Sequence, residues 1–523
     1  MNNRPNVILM FADDLGIGDL SCFNPDSKII TKNLDKLALE GIRGTDVHAT
    51  SSLCSPSRYG LLTGRYNWRS ALKSKVLGGY TKHLIEDGRS TLGTLFKSAG
   101  YRTACIGKWH LGLDWAVGGD TSELAPEAFK LMLVPDVDYT KPVKNGPGDY
   151  GFDYSYVTPG SLDIAPYVFL ENGMVTQPPL GKTGSNNFAH KRGVVSDVND
   201  SRIYEWPEGW TSADYVHQNV VPDSAERVLG LIDSYSDGTE PFFIYYPIHA
   251  PHIPCLPTPE FAGKSPIGPY GDMVLMIDDI VGRIMDKLDE KGIRENTVFV
   301  FTSDNGSENS YPELGHEPSS IYRGHKADIW DGGHRIPFIV RWPEQLSANG
   351  CFSQMCCLSD MYATFAELLG VEVADDAAED SVSVLPLWNG SGEQIRDYVV
   401  HSSGMGRFAI RKGKWKLELC PYSGGFGDWD YKGGLPPIQL YDMENDVRET
   451  QNVYAEHPDV VEELRSVLIR CITEGRSTPG APQKNTGPEW WPELEAVSET
   501  AFPGKPAQGS APRAGNVPGS KPF

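Results

Sequence analysis

Four short apolar runs each stop on a cluster of polar side chains. "NVILMF" runs into Ala12-Asp13-Asp14, "YRTACIG" into Lys108-Trp109-His110, "PFFIYYPI" into His249, and "NTVFVFTS" into Asp304-Asn305-Gly306. Runs this short and continuous read as strands buried on both faces, the pattern of a parallel sheet covered by helices. Helical stretches lie between them: "TKNLDKLALEG", "TLGTLFKSAG", "DSAERVLGLIDSY" and "GDMVLMIDDIVGRIMDKLDEKG". The last places Val274, Met276, Ile277, Ile280, Val281, Ile284, Met285 and Leu288 at roughly helical spacing and ends at Gly292, as a C-cap would. The fold class is therefore α/β. Open α/β sheets bind ligands beyond the carboxyl ends of their strands, and all four polar clusters fall there. Ordinary surface polarity has no reason to gather at one end of four separate strands.

The chain has 523 residues, enough for two to four domains or one large α/β domain with a satellite. We expect a catalytic α/β domain over 1–385, an antiparallel-sheet subdomain with a terminal helix over 386–490, and an extended Pro/Gly-rich tail over 491–523. The subdomain rests on the alternating "RDYVVHSSGMGRFAIRKGKWKLELC" and the helical "PDVVEELRSVLIRCITEG"; 374–395 reads as the linker before it. Residues 113–240, with "YGFDYSYVTPGS" and "LGKTGSNNFAHKRG", read as long loops on the rim of a pocket. No internal repeat is evident.

A net charge of -22 repels nucleic acid and anionic membrane surfaces. The apolar runs are far shorter than the ~20 residues that span a bilayer. The N-terminus "MNNRPNVILMF" enters a strand at once, without the sections of a signal peptide. That places the chain either in the cytoplasm or, with its signal already removed, in the periplasm or outside the cell. Nine cysteines are an odd number, spread without Cys-x-x-Cys spacing, and most are expected to be reduced core thiols.

Asp13-Asp14 and Asp304-Asn305 offer oxygen donors suited to a hard divalent cation such as calcium or magnesium. One such acidic pair alone would be a solvated turn. Two, each after a buried strand and each with a glycine nearby (Gly16, Gly306), make a cation site the better reading. Arg58, Lys108, His110, His249 and Lys326 each have a bland reading, as surface or strand-end charges or as core histidines. Brought into one pocket, they would make it cationic inside an anionic protein, and its ligand would carry an anion.

The stretch "CSPSRYGLLTGRY", from Cys54, resembles the signature of the type I sulfatases, in which the cysteine of a Cys-x-Pro-x-Arg element is oxidised to Cα-formylglycine. "FADDLGIGD", "GKWHLG", "HAPH", "SDNG" and "GHKADIWDGGHRIPFIVRWP" resemble the same family's other blocks, in order, over residues 6–343. The resemblance implies an alkaline phosphatase-like fold: a large mixed, mostly parallel sheet flanked by helices, with a smaller C-terminal α+β subdomain. It implies one calcium ion bound by Asp13, Asp14, Asp304, Asn305 and the modified Cys54. Arg58 is implied to hold the formylglycine hydrate, with Lys108, His110, His249 and Lys326 around the sulfate. One hydroxyl of the hydrate attacks and the other expels sulfate; His249 or Lys326 protonates the leaving alcohol, and His110 takes the second proton. Asp331 departs from the glutamate of many relatives, a change expected to be tolerated.

The implied partners are a sulfated glycan or aryl sulfate as substrate, and a formylglycine-generating or anaerobic sulfatase-maturating enzyme. An exo-acting carbohydrate sulfatase is the preferred reading. The competing ones are a phosphodiesterase or phosphonate monoester hydrolase of the same superfamily, and a catalytically inactive sulfatase-like binding protein. For the sugar rim the sequence suggests His252, His325, His334 and Arg323, with His316 and the aromatics from Tyr150 to Tyr156 as further contacts. His252, separated from His249 by a proline, is expected to point along that rim. Sugar, sulfated position and oligomeric state are not legible.

Overall fold

In a computed structural model, residues 4–128, 133–184, 205–308, 311–426, 428 and 433–486 are described. The expected tail 491–523 and most of "LGKTGSNNFAHKRG" lie outside them. A ten-stranded sheet forms the centre. From edge to edge its strands are Gly350–Phe352, Ile42–Gly44, Phe338–Arg341, Thr297–Ser303, Asn6–Asp13, Phe242–Pro251, Arg102–Lys108, Tyr154–Thr158, Leu170–Glu171 and Met174–Val175. The four expected strands are central, adjacent and parallel: Asn6–Asp13 pairs with Phe242–Pro251 and Thr297–Ser303, and Phe242–Pro251 pairs with Arg102–Lys108. Antiparallel pairs occur only toward the edges among the described strands, which makes the sheet mixed but mostly parallel.

Strand alternation divides the core into two layers. Val7, Leu9, Phe11, Phe243 and Tyr245 face helices Cys54–Thr63, Leu92–Ser98 and Asp360–Leu369. Ile8, Met10, Ala12, Ile244 and Tyr246 face helices Lys32–Leu39, Val220–Ser236 and Pro269–Glu290. From Val7 to Asp13 and from Phe242 to Pro251 every side chain is thereby excluded from water on one face or the other, which is why the runs read as continuously apolar. Seven of the nine cysteines are buried, and all nine are free thiols.

A separate four-stranded antiparallel sheet follows: Tyr398–Ser402, Phe408–Lys412, Trp415–Glu418 and Gln439–Asp442. Helix Pro458–Thr473 packs on it through Leu464, Val467, Leu468, Cys471 and Ile472. The same core contains Tyr66 and Trp68, just beyond the helix that begins at Cys54. The small sheet therefore braces the signature segment.

Residues 374–395 do not behave as a linker. Asp380 is fully buried and accepts hydrogen bonds from the Tyr66 N–H (2.8 Å) and from Nε (2.7 Å) and Nη2 (2.9 Å) of Arg69. Its backbone carbonyl receives Arg396. Acidic, small-residue composition suggested solvent; paired charge holds the segment inside. Burial alone would raise the Asp380 carboxyl, but Arg69 outweighs it and holds the group below the usual carboxylate range. Asp380→Ala leaves Arg69 buried without its partner, so unfolding free energy should fall by about 3–5 kcal/mol. The shift in the urea midpoint measures it, and an unchanged midpoint would contradict the assignment.

Candidate active site

The carboxyl ends of the four central strands meet at one place, and the start of helix Cys54–Thr63 points into it. Cys54 is the first residue of that helix and is 2% exposed. Burial, only partly offset by Lys108 and Lys326, pushes its thiol up to about 11, so the unmodified side chain is protonated at neutral pH. Its Sγ lies 3.3 Å from Nδ1 of His110. The other ring nitrogen, Nε2, donates to the Leu77 carbonyl at 2.8 Å, which leaves Nδ1 as an acceptor facing residue 54. Burial, with Lys108 and Arg58 nearby, holds His110 well below the usual imidazole range.

Charge is arranged in interlocked pairs. Arg58 donates from Nη2 to Asp304 Oδ2 (2.7 Å), lies 3.4 Å from Asp13 Oδ1, and donates from Nη1 to the Lys108 carbonyl (3.1 Å). Lys108 Nζ donates to Asp13 Oδ2 at 2.7 Å, and Lys326 Nζ to Asp14 Oδ2 at 2.6 Å. Asn305 Nδ2 donates to Asp14 Oδ1 (2.8 Å), and Asp304 Oδ1 accepts the Asp14 N–H (3.0 Å). All seven residues are at most 5% exposed. Burial raises Asp304, and the neighbouring Asp13 raises it further. For Asp13, Lys108, His252 and Arg58 outweigh burial and hold the carboxyl well below its usual value.

The donor set fits a cation. Oδ1 of Asp13 and Oδ1 of Asn305 are buried and accept no hydrogen bond. Ligand atoms of Asp13, Cys54 and Asp304 lie within 4.8 Å of one another, as do those of Asp13, Asp14 and His252. Carboxylate and amide oxygens dominate, the preference of calcium or magnesium. Backbone geometry concentrates here too: Asp14 (φ 65°), His110 (φ 54°) and Ala327 (φ 74°) occupy the left-handed region, where non-glycine residues are uncommon. At Gly306 a Cβ would stand 1.9 Å from the Gly332 carbonyl, so only glycine lets the Asp304-Asn305 turn pack on the 331–334 helix.

His249 joins this group, with Nε2 at 2.6 Å from Thr158 Oγ1. Because that hydroxyl donates to the Gly160 carbonyl at 2.7 Å, His249 must donate from Nε2, leaving Nδ1 an unpaired buried acceptor. Burial pushes His249 down to about 3. Thr158 was missed in the sequence because "SYVTPGS" read as a loop; it ends a fifth parallel strand, beside Arg102–Lys108. Glu308, 3.4 Å from Lys326 Nζ, was also missed, since nothing in "SDNGSE" shows where the turn carries it.

Most of the expected rim is placed elsewhere. His252 is 6% exposed, with Nε2 3.6 Å from Asp14 Oδ2 and Nδ1 3.1 Å from Ser161 Oγ, so it faces the acidic cluster rather than the rim. His334 is fully buried against His48, His401 and Lys416. Arg323 lies 3.6 Å over the Trp330 ring and donates to the Glu449 carbonyl, a structural role. His316 is buried and paired with Asp19 at 2.8 Å. Tyr150 donates to the Ile85 carbonyl, and Tyr154 and Tyr156 pack with Arg227 on helix Val220–Ser236. His325, partly exposed one residue before Lys326, is the one suggested histidine still at the rim. Asp331 pairs with Arg335 and Lys416, outside the oxygen cluster.

The sulfatase family matches residues 5–371. An N-acetylgalactosamine-6-O-sulfatase of Bacteroides thetaiotaomicron is 35% identical, the match covering 89% of this chain and 93% of the relative. Human arylsulfatase A is 29% identical, with 96% and 94% covered. A solved structure from work on the metabolism of multiple glycosaminoglycans by Bacteroides thetaiotaomicron superposes with a TM-score of 0.75 at 32% identity, covering 89% of this chain and 99% of that one. A phosphonate monoester hydrolase of Agrobacterium radiobacter, at 19% identity and a TM-score of 0.58, shares the fold alone. The family in general depends on formylglycine and a bound metal. The ordered motifs, the alkaline phosphatase-like sheet and a match across most of the chain lead to one assignment: the chain belongs to the sulfatase family and is a sulfuric ester hydrolase.

Proposed function

We propose that this sulfatase releases inorganic sulfate from a sulfated carbohydrate, acting at a chain end, and accepts small aryl sulfates as secondary substrates. The observation that carries this reading is the position of residue 54: it opens a helix inside a pocket where His110 Nδ1 lies 3.3 Å away and Arg58, Lys108 and Lys326 gather. The carbohydrate preference is supported by the N-acetylgalactosamine-6-O-sulfatase at 35% identity.

Asp13, Asp14, Asp304 and Asn305, with an oxygen at position 54, would hold the calcium ion, whose charge would favour ionisation of a nearby hydroxyl. A formylglycine made from Cys54 by a formylglycine-generating or anaerobic sulfatase-maturating enzyme would supply a hydrated aldehyde as nucleophile. The rest falls to the chain's own groups. Lys108 and Lys326 are kept charged: burial alone would lower both, but Asp13 outweighs it at Lys108, as does Asp14 at Lys326. Their ammonium groups stabilise charge on the sulfuryl oxygens. Arg58 orients the group at position 54. His110, neutral and accepting at Nδ1, takes a proton from that group. His249 presents Nδ1 from the neighbouring strand and donates a proton to the leaving oxygen once the anionic substrate favours its charged form.

Cys54→Ala should retain less than about a hundredth of the wild-type rate, since removing a covalent nucleophile costs orders of magnitude. A panel of defined sulfated mono- and disaccharides tests the substrate. Fast desulfation of an aryl sulfate with no turnover of any sugar would overturn the carbohydrate reading. The Gly44–Arg58 tryptic peptide should carry the formylglycine mass shift.

His249→Ala should lower kcat/KM for a sugar sulfate by about 10²–10⁴-fold, the usual scale of general acid–base assistance. The loss on an activated aryl sulfate, whose phenolate leaves unaided, should be less than about tenfold. Equal losses on both would remove His249 from the acid role.

Calcium at about 100 times its Kd should stabilise the fold by about 2.7 kcal/mol, read as a rise in Tm after chelation and re-addition. Asp304→Ala should abolish that rise. A Tm indifferent to calcium in metal-free protein would count against the cation site.

A further inference from the structure

Outside the active site, three histidines from distant parts of the chain meet in the buried interior. His48 precedes the signature segment, His334 follows the Asp331-Gly332-Gly333 turn, and His401 lies in the small C-terminal sheet; each is 0% exposed. Their ring centroids are 5.1 Å (His48–His334), 4.8 Å (His48–His401) and 3.9 Å (His334–His401) apart. One ligand nitrogen from each lies within 4.8 Å of the other two.

Each imidazole has an acceptor for one N–H. His48 Nε2 is 2.7 Å from Asp46 Oδ1, His334 Nε2 is 3.0 Å from the Ile329 carbonyl, and His401 Nδ1 is 3.4 Å from the Ala49 carbonyl. With those protons committed, three lone pairs remain: Nδ1 of His48, Nδ1 of His334 and Nε2 of His401. The first two face each other at 3.0 Å, and two lone pairs repel at that distance. The third is buried with no hydrogen-bond partner. An imidazole that gives its far N–H to a carboxylate or carbonyl and turns the near nitrogen inward has the outer hydrogen bonding of a metal-bound histidine.

We propose that His48, His334 and His401 form a second metal site, distinct from the carboxylate cluster, that takes a borderline divalent ion of the Zn²⁺ type. Three neutral nitrogens exclude calcium and magnesium, which require oxygen. Binding needs no proton release, and it tilts the stacked His334 and His401 rings away from their 13° interplanar angle. The site's role is structural. Its ligands join the short helix Asp331–His334, the small sheet and the stretch of chain that leads to Cys54. Ala49 N–H already bonds the His334 carbonyl at 2.7 Å, and Ser52 N–H the Ser402 carbonyl at 3.0 Å. An ion here would lock that stretch at three points as the chain folds.

The competing arrangement uses Lys416. Its Nζ, 3.3 Å from His334 Nε2, could donate there, so that His334 donates to His48 and His48 to Asp46 in a proton-sharing row without metal. That row leaves His401 Nε2 unmet. The full-length protein, stripped of metal, loaded with Zn²⁺ in excess Ca²⁺ and desalted, should keep about one Zn²⁺ per chain by elemental mass spectrometry. His401→Ala should keep less than a tenth of that. The zinc K-edge spectrum of the wild-type protein, which does not depend on any variant folding, should show imidazole nitrogens at about 2.0–2.1 Å. Failure of the wild type to retain Zn²⁺, an all-oxygen spectrum, or full retention in a folded His401→Ala would each overturn the site in favour of the Lys416 row.

Discussion

The arrangement depends on Arg58 standing between Asp13 and Asp304. Those carboxylates end two adjacent parallel strands, and the guanidinium reaches them from a third segment at 3.4 Å and 2.7 Å, with no solvent contact at any of the three side chains. Isolated, each buried charge would be costly, by several kcal/mol per ion even after relaxation. Gathered with Lys108, Asp14 and Lys326, each of these carboxylates meets a cation. Burial is tolerable only while every member is present. The helix that begins at Cys54 is thereby bound to the strand ends by charge as well as by the packing of Tyr59, Leu61 and Leu62.

This explains which parts of the molecule were legible in the sequence. A strand buried on both faces must be apolar at every position, so Val7 to Phe11 and Phe243 to Tyr246 announce themselves, and the polar residues at their ends must lie at the sheet's carboxyl edge. The strand-end members of the cluster follow from this; Arg58, on a helix, and Lys326, in a loop, came only with the resemblance to the family's motifs. The directions of loop side chains do not follow from it. His252 and His334, both inside motif blocks, were read as rim residues, yet one turns to Asp14 and the other into a histidine cluster. Arg323 stacks on Trp330, a contact between residues seven apart that no periodicity encodes. Asp380 was hidden by its composition, because an acidic, Ala-rich stretch looks solvated unless the Arg69 that meets it is known.

The small C-terminal sheet belongs to the same logic. It contributes no group to the acid–base cluster, but His401 and Ser402 touch the chain between Ala49 and Ser52, and Tyr66 and Trp68 share its core. A catalytic residue at the first turn of a helix is only as well placed as the strand of backbone that enters it. Residues 48–52 are held on one side by His334 and on the other by Ser402, so position 54 is fixed before the helix starts.

The same cations set the protonation of the two imidazoles. Lys108 and Arg58 would draw an anion into the pocket, and they add to burial in disfavouring a second proton on His110 and His249. Both rings are therefore neutral in the free protein, each with its proton spent on a neighbouring oxygen and its other nitrogen turned inward. In the proposed mechanism their environments differ in one respect. His110 Nδ1 faces residue 54 at 3.3 Å, so it would act as a base toward the nucleophile. A sulfate ester in the pocket would bring negative charge that partly cancels the field of the lysines, and His249, whose buried Nδ1 has no hydrogen-bond partner, would gain proton affinity. On that reading two side chains that start out alike acquire opposite roles.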